Sequence, residues 1–524
     1  IGGREIALAS IICVLLLWAV RVLLKTVYDV SIDTFNARPA IIFGVDECGM
    51  GLAKLVRNDK SLRMRLFGFM SNGNEVRHKV LMGLHVYSYD DVERLIHQKK
   101  MECLLVSQSS VGVFRSDKTL QDLLIANGVH IFMPRTNEEW NPASPDATLK
   151  EVSIEDLLPR DEISIDLKSV ADTLHGKCIL VTGSAGSIGS EIVKQLCQFN
   201  PRELVLIDSS ETPQHDIRLM MAKRYPHIKA ETIVTSITGQ LRMENIFRRF
   251  RPDYVFHAAA YKHVPMMENN PTESVENNIY GTKVLADMAV KYGVKKFVMI
   301  STDKAVNPTN VMGCSKRICE MYVQSLNNAV RSGKVEGCTQ FVTTRFGNVL
   351  GSNGSVIPLF KQQIKAGGPV TVTDPNIIRY FMLIPEACEL VLEAGVKGNG
   401  GEIFVFDMGK PVKIADLAQR MINLSGAKNV EIKYTGLRAG EKLYEEVLND
   451  KESTKPSFHE KIRIANVREY DYSEVERDIE ELIEVSKQYD DMLTVKKMKE
   501  IVPEFKSNNS VYEALDAAVG TAKA

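Results

Sequence analysis

The sequence predicts an α/β protein built from two doubly wound parallel sheets that follow each other along the chain. The first observation is an alternation of short apolar runs with helical segments over residues 38–135 and 177–455. Strands separated by helices form parallel sheets that are covered on both faces. The second observation is a glycine-rich turn directly after the first strand of each region, at Gly44–Gly51 and at Gly183–Gly189.

The composition is that of a globular protein and excludes several functional classes. Of the 524 residues, 44% are hydrophobic and 25% are charged, which excludes disordered, collagen-like and coiled-coil chains. The 65 Lys and Arg residues balance 66 Asp and Glu residues, so the net charge of −1 gives no overall attraction to nucleic acid. Nine cysteines without metal-ligand spacing predict neither a metal site nor a disulfide framework, and the reducing cytoplasm is the expected compartment.

An apolar run stands near the N-terminus. Residues Ile6–Val20 carry no charge, and the apolar character continues after Arg21 to Leu24. A helix needs about 20 such residues to cross a bilayer, and an arginine near its end can extend its side chain to the headgroups. We therefore predict a transmembrane helix within residues 1–28, with flanking basic residues that favour a cytoplasmic body. A signal-peptide segment and a buried helix are the alternatives.

Residues 38–135 are predicted to form a Rossmann-like domain of unknown ligand. A helix is expected from Leu52, and the glycines of GVDECGMG suggest a phosphate-binding turn. The second strand ends in Ser71-Asn72-Gly73, without an acidic residue to hold a ribose, so a structural or regulatory domain is the alternative. The expected strands are Ala40–Phe43, Leu66–Met70, Cys103–Val106 and Val129–Met133. A connector, 136–176, follows.

The region from 177 to 455 opens with a dinucleotide-binding fingerprint. A strand at Lys177–Thr182 leads into GSAGSIG, a helix at Ser190–Phe199 and a second strand at Glu203–Ile207. Asp208 follows that strand, nineteen residues beyond Gly189. In this pattern the glycines allow a tight turn and close approach to a pyrophosphate, while the acid accepts hydrogen bonds from the adenosine ribose. An acid there repels a 2′-phosphate, which favours NAD over NADP.

A second polar cluster follows a later strand of the same sheet. The strand Lys296–Ile300 runs into Ser301-Thr302-Asp303-Lys304, and ligands of open α/β sheets sit at such carboxyl ends. A helix then opens near Met312, and Lys316, four residues on, shares its face. These residues are therefore candidates for the chemistry of the site.

Several motifs together resemble those of extended short-chain dehydrogenases/reductases. More narrowly, residues 177–450 resemble the membrane-anchored UDP-N-acetylglucosamine 4,6-dehydratases of bacterial surface-glycan synthesis. The N-terminal run, the first Rossmann-like domain and the connector IEDLLPR also match the long form of that family, although Pro159 replaces a usual glycine. The motifs are TGSAGSIG (182–189), HAAAYKHVP (257–265), ENN (276–278), STDKAVNPTNVMGCSK (301–316) and RFGNVLGSNGSVIP (345–358).

The resemblance implies a domain plan and a location. The full family form carries several N-terminal spans, of which residues 1–28 would supply the last. The catalytic domain, 177–455, would carry a small C-terminal substrate-binding lobe. The resemblance does not extend to residues 456–524, where helical periodicity in DIEELIEVSKQY predicts a helical extension. The catalytic domains would lie in the cytoplasm at the bacterial inner membrane. Relatives of this fold usually self-associate, which implies a homo-oligomer.

The resemblance also implies the catalytic roles. The wider superfamily pairs Tyr with Lys, whereas this chain has Met312 before Lys316, as the C5-retaining long-form dehydratases do. Lys304 would remove the C5 proton, provided that it is neutral, which a nearby Lys316 cation and the nicotinamide charge would favour. Asp303 would protonate the departing 6-hydroxyl, and Lys316 would bind the nicotinamide ribose. Thr302, Asp303 or water would take the 4-hydroxyl proton.

Binding residues follow from the fingerprint and from the same resemblance. The partner is expected to be UDP-N-acetylglucosamine or a close UDP-amino-sugar, with the uracil against Thr371-Val372-Thr373. The expected cofactor-binding residues are Gly183, Ser184, Gly186, Ser187, Ile188, Gly189, Asp208, Ala258, Ala259, Ala260 and Lys316. The expected substrate-binding residues are Lys262, His263, Asn348, Ser355, Thr371, Val372, Arg379, Arg438 and Glu441.

Two other functions are consistent with these motifs. A nucleotide-sugar epimerase would use the same oxidation at C4 without elimination, but it needs no C5 base such as Lys304. A membrane scaffold that binds NAD or a UDP-sugar without turnover would explain Met312 and the first Rossmann-like domain. The mass of the product separates the dehydratase from both alternatives.

Overall fold

The computed structural model describes residues 12–22, 25, 37–71, 79–134, 149–157, 163, 165–427, 429–446 and 453–516. The chain divides into two compact units. The first contains residues 1–160 and 420–428, and the second contains residues 161–419 and 429–524.

The described part of the N-terminal run is helical. Residues 12–22 form a helix with exposed apolar side chains, among them Leu17 and Trp18. Within the described residues, no helix is both long and apolar enough to cross a membrane. The remainder of the predicted span, residues 1–11 and most of 23–28, lies outside the described part of the chain.

The first unit contains a seven-stranded sheet in the order β3-β4-β2-β1-β5-β6-β7. The five strands from β4 to β6 run parallel, and β3 and β7 pair antiparallel at the edges. The strands are β1 (Arg38–Phe43), β2 (Met64–Ser71), β3 (Val80–Leu81), β4 (Leu84–Ser88), β5 (Cys103–Val106), β6 (His130–Pro134) and β7 (Leu149–Glu151). The helices are Glu47–Asn58, Val92–Lys99, Val111–Ser116, Lys118–Ala126 and Ile154–Leu157.

Side-chain alternation explains why this sheet is covered on both faces. Ile41 and Phe43 of β1 join one hydrophobic cluster, whereas Ala40 and Ile42 join the other. Successive side chains of a strand point to opposite faces, so a fully apolar strand needs a helical layer on each side. The four strands predicted for this region are confirmed, with end points within two residues of those expected.

The helix after the glycine-rich turn of the first unit begins earlier than expected. The helix begins at Glu47, not Leu52, because the Asp46 carboxylate caps it by accepting a hydrogen bond from Gly49 N at 2.9 Å. A Cβ on Gly49 would lie 2.3 Å from Gly44 O, so this glycine allows the helix to pack on the turn after β1. Asn72 and Gly73, which follow β2, lie outside the described residues.

The second unit contains a nine-stranded sheet in the order β10-β9-β8-β11-β12-β13-β18-β22-β21. The seven strands from β10 to β18 are parallel, and the last two are antiparallel. The chain order reverses at β8, so a crevice opens between the carboxyl ends of β8 and β11, where such sheets bind ligands. The strands are β8 (Cys178–Thr182), β9 (Glu203–Asp208), β10 (Ala230–Val234), β11 (Tyr254–His257), β12 (Lys296–Thr302), β13 (Gln340–Phe346), β18 (Ile403–Phe406), β21 (Ser453–Pro456) and β22 (Ile462–Asn466).

Helices cover both faces of this sheet. The predicted helix after the fingerprint is confirmed but begins at Ser187, because Gly186 takes the position before its first turn. The helix that contains Met312 is the longest of those described in this unit and is buried along most of its length. The helices are Leu167–Leu174, Ser187–Cys197, Glu211–Arg224, Gln240–Phe250, Val264–Glu268, Pro271–Ser274, Gly281–Lys291, Val311–Arg331, Val356–Lys365, Ile384–Lys397, Tyr472–Ser486 and Asp491–Ile501, with Ile414–Leu424 at the boundary between the units.

Short strand pairs lie beyond the carboxyl edge of the large sheet, in the region expected to form a small lobe. They include parallel pairs β14–β17 and β15–β20 and the antiparallel pair β16–β19. Their bounds are β14 (Asn348–Val349), β15 (Val370–Val372), β16 (Ile378–Arg379), β17 (Phe381–Met382), β19 (Val412–Lys413) and β20 (Ile432–Tyr434).

The segment after residue 455 is part of the second unit and contains more than the helix expected there. It supplies β22, and its helices bury Ile479 and Val495 in the same hydrophobic cluster as Met312. Its last part forms backbone hydrogen bonds to two loops: Asn508 N donates to Thr309 O at 3.2 Å, and Gly440 N donates to Asn508 O at 2.6 Å. These bonds join the chain end to the loops that flank the cavity described next.

Candidate active site

A cavity of about 570 Å³ opens at the carboxyl edge of the large sheet in the second unit. Its wall combines the glycine-rich turn after β8, the ends of β11, β12 and β13, and the loops of the small lobe. Of the predicted site residues, it is lined by Gly183, Gly186, Ser187, Ile188, Gly189, Ala258, Ala260, Lys262, His263, Thr302, Lys304, Met312, Lys316, Asn348, Ser355, Thr371, Val372, Arg379, Arg438 and Glu441.

The glycine-rich turn fits a dinucleotide. Gly183 has a φ of +66°, and a Cβ there would lie 2.7 Å from Ala259 N, so a side chain would both strain the turn and strike the loop after β11. The turn leads into the N-terminus of the helix Ser187–Cys197, whose free N–H groups favour phosphate. These residues would hold the pyrophosphate of NAD.

Three predicted cofactor residues do not line the cavity. Ser184 is buried, and its hydroxyl donates to Gln214 at 2.9 Å. Asp208 stands at the end of β9, where its carboxylate accepts hydrogen bonds from Ala185 N at 3.0 Å and Ser210 N at 2.8 Å. Ala259 contributes backbone beside Gly183. Asp208 thus holds the turn in place. It also lies at the end of the second strand, where the fingerprint expects an acid that contacts the adenosine ribose.

Replacement of Gly189 by Ala tests the turn directly. A Cβ on Gly189 would lie 2.0 Å from Gly183 O, so the helix must move away from the turn. Overpacking of this kind costs about 1–3 kcal/mol, and we expect NAD to bind about 10- to 100-fold more weakly, as measured by titration calorimetry. Gly239→Ala is the control, because its added Cβ meets atoms no closer than 3.6 Å. An unchanged dissociation constant in Gly189→Ala would contradict this role.

Thr302, Asp303 and Lys304 form one hydrogen-bonded group at the end of β12. The Thr302 hydroxyl donates to Asp303 Oδ1 at 2.8 Å, and Lys304 Nζ donates to the same oxygen at 3.0 Å. Lys304 Nζ also donates to Asn348 Oδ1 at 3.3 Å. Asp303 Oδ2 faces Gly347, where a Cβ would approach to 3.0 Å. An acidic and a basic group therefore stand side by side. Lys304 lines the cavity, whereas Asp303, a predicted catalytic residue, is buried and is not part of the cavity lining.

The charge state of Lys304 differs from the expected one. Burial lowers the pKa of Lys304, but the carboxylates of Asp303 and Glu445 outweigh burial, and the pKa stands above its usual value. The Glu445 carboxylate lies 3.5 Å from Lys304 Nζ. The raised pKa favours the ammonium form of Lys304, whereas the expected C5 base is a neutral amine.

Met312 and Lys316 lie on the cavity face of their helix, as the four-residue spacing predicted. Met312 is buried, and its thioether side chain has no proton to exchange. Among the described residues, Lys316 Nζ has no hydrogen-bond or ion-pair partner. Burial lowers the pKa of Lys316, while Cys319 and Glu320 oppose this shift. A buried, unpartnered amine at the cavity fits a hydroxyl group of a ligand.

The loop after β11 places basic groups at the far side of the cavity. Burial, followed by the Lys304 cation, lowers the pKa of Lys262, and Lys262 Nζ lies 3.4 Å from Ser352 Oγ. Burial, followed by Lys262, lowers the pKa of His263. The Ser355 hydroxyl is buried at the cavity and has no hydrogen-bond partner within the described chain. This group of donors suits an anionic or hydroxylated ligand.

Several other predicted substrate residues hold the loops of the small lobe. Arg379 donates to the carbonyls of Ile378, Lys442 and Leu443 at 2.8–3.1 Å, so its guanidinium is already engaged. Glu441 accepts from Thr373 Oγ1 at 3.3 Å, and Arg379 lies 3.4 Å away.

The remaining substrate candidates differ in how freely they face the cavity. The Thr371 hydroxyl bonds to Gln363 at 2.7 Å, and Val372 is buried. Arg438 is exposed, and its side chain has no partner among the residues that the structure describes. Of the predicted phosphate-binding arginines, Arg438 is therefore the one with a free guanidinium.

Sequence reasoning missed two residues that shape this site. Asn278 of the ENN motif accepts from Tyr261 N at 2.8 Å and donates to Ser315 Oγ at 3.0 Å, which ties the loop after β11 to the Met312 helix. Glu445 approaches Lys304 from the small lobe. Its signal is the sequence RAGEKLYEE, in which Arg438 and Glu441 are the predicted site residues and Glu445 is not. The pairing with Lys304 is long-range and has no local pattern.

The sequence is similar to that of several known proteins. The chain matches the family described as "Polysaccharide biosynthesis protein" over residues 179–467. It is 41% identical over 457 residues to the Staphylococcus aureus "Capsular polysaccharide biosynthesis protein CapD", which covers 86% of this chain and 75% of that protein. It is 34% identical to a Campylobacter jejuni "UDP-N-acetylglucosamine 4,6-dehydratase (inverting)", over 53% of this chain and 79% of that protein.

A solved structure shares the fold of more than half of this chain. The X-ray structure of Pen from Bacillus thuringiensis is 33% identical and superposes with a TM-score of 0.52, covering 56% of this chain and 87% of that one. Together with the parallel sheet and the glycine-rich turn, this likeness confirms the predicted Rossmann-like fold. The family match spans more than half of the chain, and the protein therefore belongs to the polysaccharide biosynthesis protein family.

Proposed function

We propose that the protein is an NAD-dependent 4,6-dehydratase of UDP-N-acetylglucosamine or a close UDP-amino-sugar. The observation that carries this proposal is the position of Lys304 in the same cavity as the dinucleotide-binding turn, with its Nζ 3.0 Å from Asp303 Oδ1. An elimination across C5 and C6 needs a base and an acid that act on neighbouring atoms. The similarity to a protein named as such a dehydratase supports the choice of substrate.

The position of each residue suggests its role in the reaction. Bound NAD supplies hydride acceptance at C4 and hydride return at C6. When C4 is oxidised, the proton of the 4-hydroxyl goes to water. Lys304 passes a proton to the Asp303 carboxylate 3.0 Å away and becomes neutral. Neutral Lys304 then removes the proton at C5 once the 4-ketone has made it acidic, and Asp303 gives its proton to the departing 6-hydroxyl, which leaves as water. Lys316 binds the nicotinamide ribose, and Thr302 holds the 4-hydroxyl. Ser355 and Arg438 are the free donors for the sugar and the diphosphate.

We further propose that the configuration at C5 is retained. Met312 occupies the position of the superfamily tyrosine and cannot transfer a proton. Lys304 is then the group that both removes and returns the C5 proton, so the proton returns to the face that it left. The named Campylobacter relative is an inverting enzyme, so this part of the proposal depends on Met312 rather than on overall similarity.

The reaction is tested with the full chain, UDP-N-acetylglucosamine and added NAD. We expect the product mass to fall by one water without net reduction of NAD, and proton NMR to show UDP-2-acetamido-2,6-dideoxy-α-D-xylo-hexos-4-ulose. An L-arabino product would overturn retention but leave the dehydratase in place. A product of unchanged mass would indicate an epimerase, and binding without turnover would indicate a scaffold.

The setting of the reaction is also a proposal. We infer that it supplies a sugar nucleotide for bacterial surface glycan, in agreement with the capsular polysaccharide protein to which the chain is similar. The exposed apolar helix at residues 12–22 supports attachment to the inner membrane, with the catalytic unit in the cytoplasm. A homo-oligomer is expected by resemblance, and sedimentation of the detergent-solubilised chain would test it.

A further inference from the structure

Glu445 is a buried carboxylate at the cavity to which no role has been given. It lies in the loop after Glu441 and is 8% exposed. Its Oε1 is 3.5 Å from Lys304 Nζ and 3.7 Å from Arg379 Nε. Its Oε2 is buried and has no hydrogen-bond partner among the described residues. A buried carboxylate oxygen without a partner is costly unless the charge serves another group.

Of the two cations near Glu445, Lys304 is the one that its charge is expected to stabilise. Arg379 is already fixed by backbone carbonyls of the small lobe. Among the described residues, the partners of Lys304 besides Glu445 are Asp303 and Asn348. No hydrogen-bond donor in the described residues neutralises Oε2.

The charged groups around Lys304 set the balance between its ammonium form and its neutral form. Asp303 and Glu445 favour its ammonium form, while burial and Arg379 disfavour it. Lys262 is a further cation close enough for its own pKa to be lowered by Lys304. With Glu445 removed, one carboxylate would face two other cations and a desolvated amine.

We propose that Glu445 is a positioning residue that, together with Asp303, holds the Lys304 ammonium and fixes its charge state. It thereby sets the acidity at which Lys304 can become the C5 base. This inference rests on the proposed function only for the step that Lys304 performs, because the contact itself exists without substrate. The proposed role of Glu445 changes only the protonation of Lys304, and it makes or breaks no bond between heavy atoms.

The charge of Lys304 can be measured without turnover. The full chain is treated with trace acetic anhydride at a series of pH values, and acetylation of the Lys304 peptide is read by mass spectrometry, since only the neutral amine reacts. Removal of an opposite charge within about 4–6 Å lowers the pKa of a lysine by about 1–3 units. We expect half-maximal labelling of Lys304 in Glu445→Gln to move at least about one unit lower in pH.

Matched variants separate charge from fold. Glu446→Gln alters the adjacent, exposed carboxylate, which bonds to Lys442 and Asn307, and should leave the Lys304 labelling curve in place. Glu445→Asp keeps the charge and should restore most of the wild-type curve. An unshifted curve in a folded Glu445→Gln protein, verified by its melting temperature, would overturn the proposal. An equal shift in Glu446→Gln would overturn it as well.

Turnover supplies an independent second measurement. If water loss requires neutral Lys304, the acidic limb of kcat/KM should move to lower pH in Glu445→Gln by the same interval as the labelling curve. A labelling shift without any turnover in the wild type would remove the dehydratase but keep Glu445 in its role. A large rise in KM with an unshifted pH profile would instead assign Glu445 to substrate binding and overturn the proposal.

Discussion

Replacement of Asp303 by Asn is expected to reduce water loss from UDP-N-acetylglucosamine by about 10²–10⁴-fold, the range typical of a general acid. Asn keeps the shape and can still accept the hydrogen bonds that Thr302 and Lys304 donate at 2.8 and 3.0 Å. It cannot give a proton to the departing 6-hydroxyl. The 6-deoxy-4-keto product, quantified by mass spectrometry, should therefore almost disappear while NAD binding stays unchanged.

The same variant predicts which partial reaction survives. Removal of the C5 proton needs Lys304 but not Asp303, so substrate recovered from deuterium oxide should carry deuterium at C5. Asp407→Asn is the control, because Asp407 is an exposed carboxylate that bonds to Gly409 N and lies beside Lys461. Normal dehydration by Asp303→Asn would remove Asp303 from the acid role, and loss of NAD binding would show a structural defect instead.

The dinucleotide site could be predicted because its chemistry is local in the chain. Gly183 and Gly189 serve a single turn, and the atoms that a Cβ would strike belong to that turn or to the loop directly above it. Strand, turn, helix and acid follow in fixed order, so the pattern specifies the geometry. In the first unit the glycine-rich turn leads into a helix that begins at Glu47 rather than at the expected Leu52, because Asp46 caps it.

The electrostatics of the site could not be predicted, because they depend on residues that are distant in sequence. Asp303 and Lys304 were found as neighbours at a strand end, but Glu445 reaches Lys304 from another lobe. The sequence suggested that nearby positive charge would keep Lys304 neutral. In the structure, burial lowers the pKa of Lys304, but the carboxylates of Asp303 and Glu445 raise it by more, which favours the charged form.

The C-terminal segment shows the same limit. Its helical periodicity was visible, and the helix Tyr472–Ser486 matches most of DIEELIEVSKQY. Its attachment to the site was not visible, because Lys506 and Asn508 use backbone atoms to bond to Pro308 and Thr309. Backbone hydrogen bonds leave no residue-type signature, so a loop that braces another loop is seen only in three dimensions.

Replacement of Lys304 by Arg is expected to abolish both dehydration and exchange at C5. Arg keeps the positive charge that Asp303 and Glu445 face, so the buried carboxylates stay compensated. Its guanidinium does not deprotonate in proteins, so it cannot accept the C5 proton. We expect a loss of about 10²–10⁴-fold in the rate of water loss, with no deuterium at C5 of substrate recovered from deuterium oxide.

The two variants together separate the base from the acid. Asp303→Asn should retain exchange at C5 and lose elimination, whereas Lys304→Arg should lose both, since elimination follows proton removal. Lys410→Arg, at an exposed position, controls for the change of side chain. Exchange at the wild-type rate in Lys304→Arg would mean that another group is the base. The side-by-side contact of Asp303 and Lys304 would then serve to orient the acid, and the search for the base would move to Lys262, another amine that lines the same cavity.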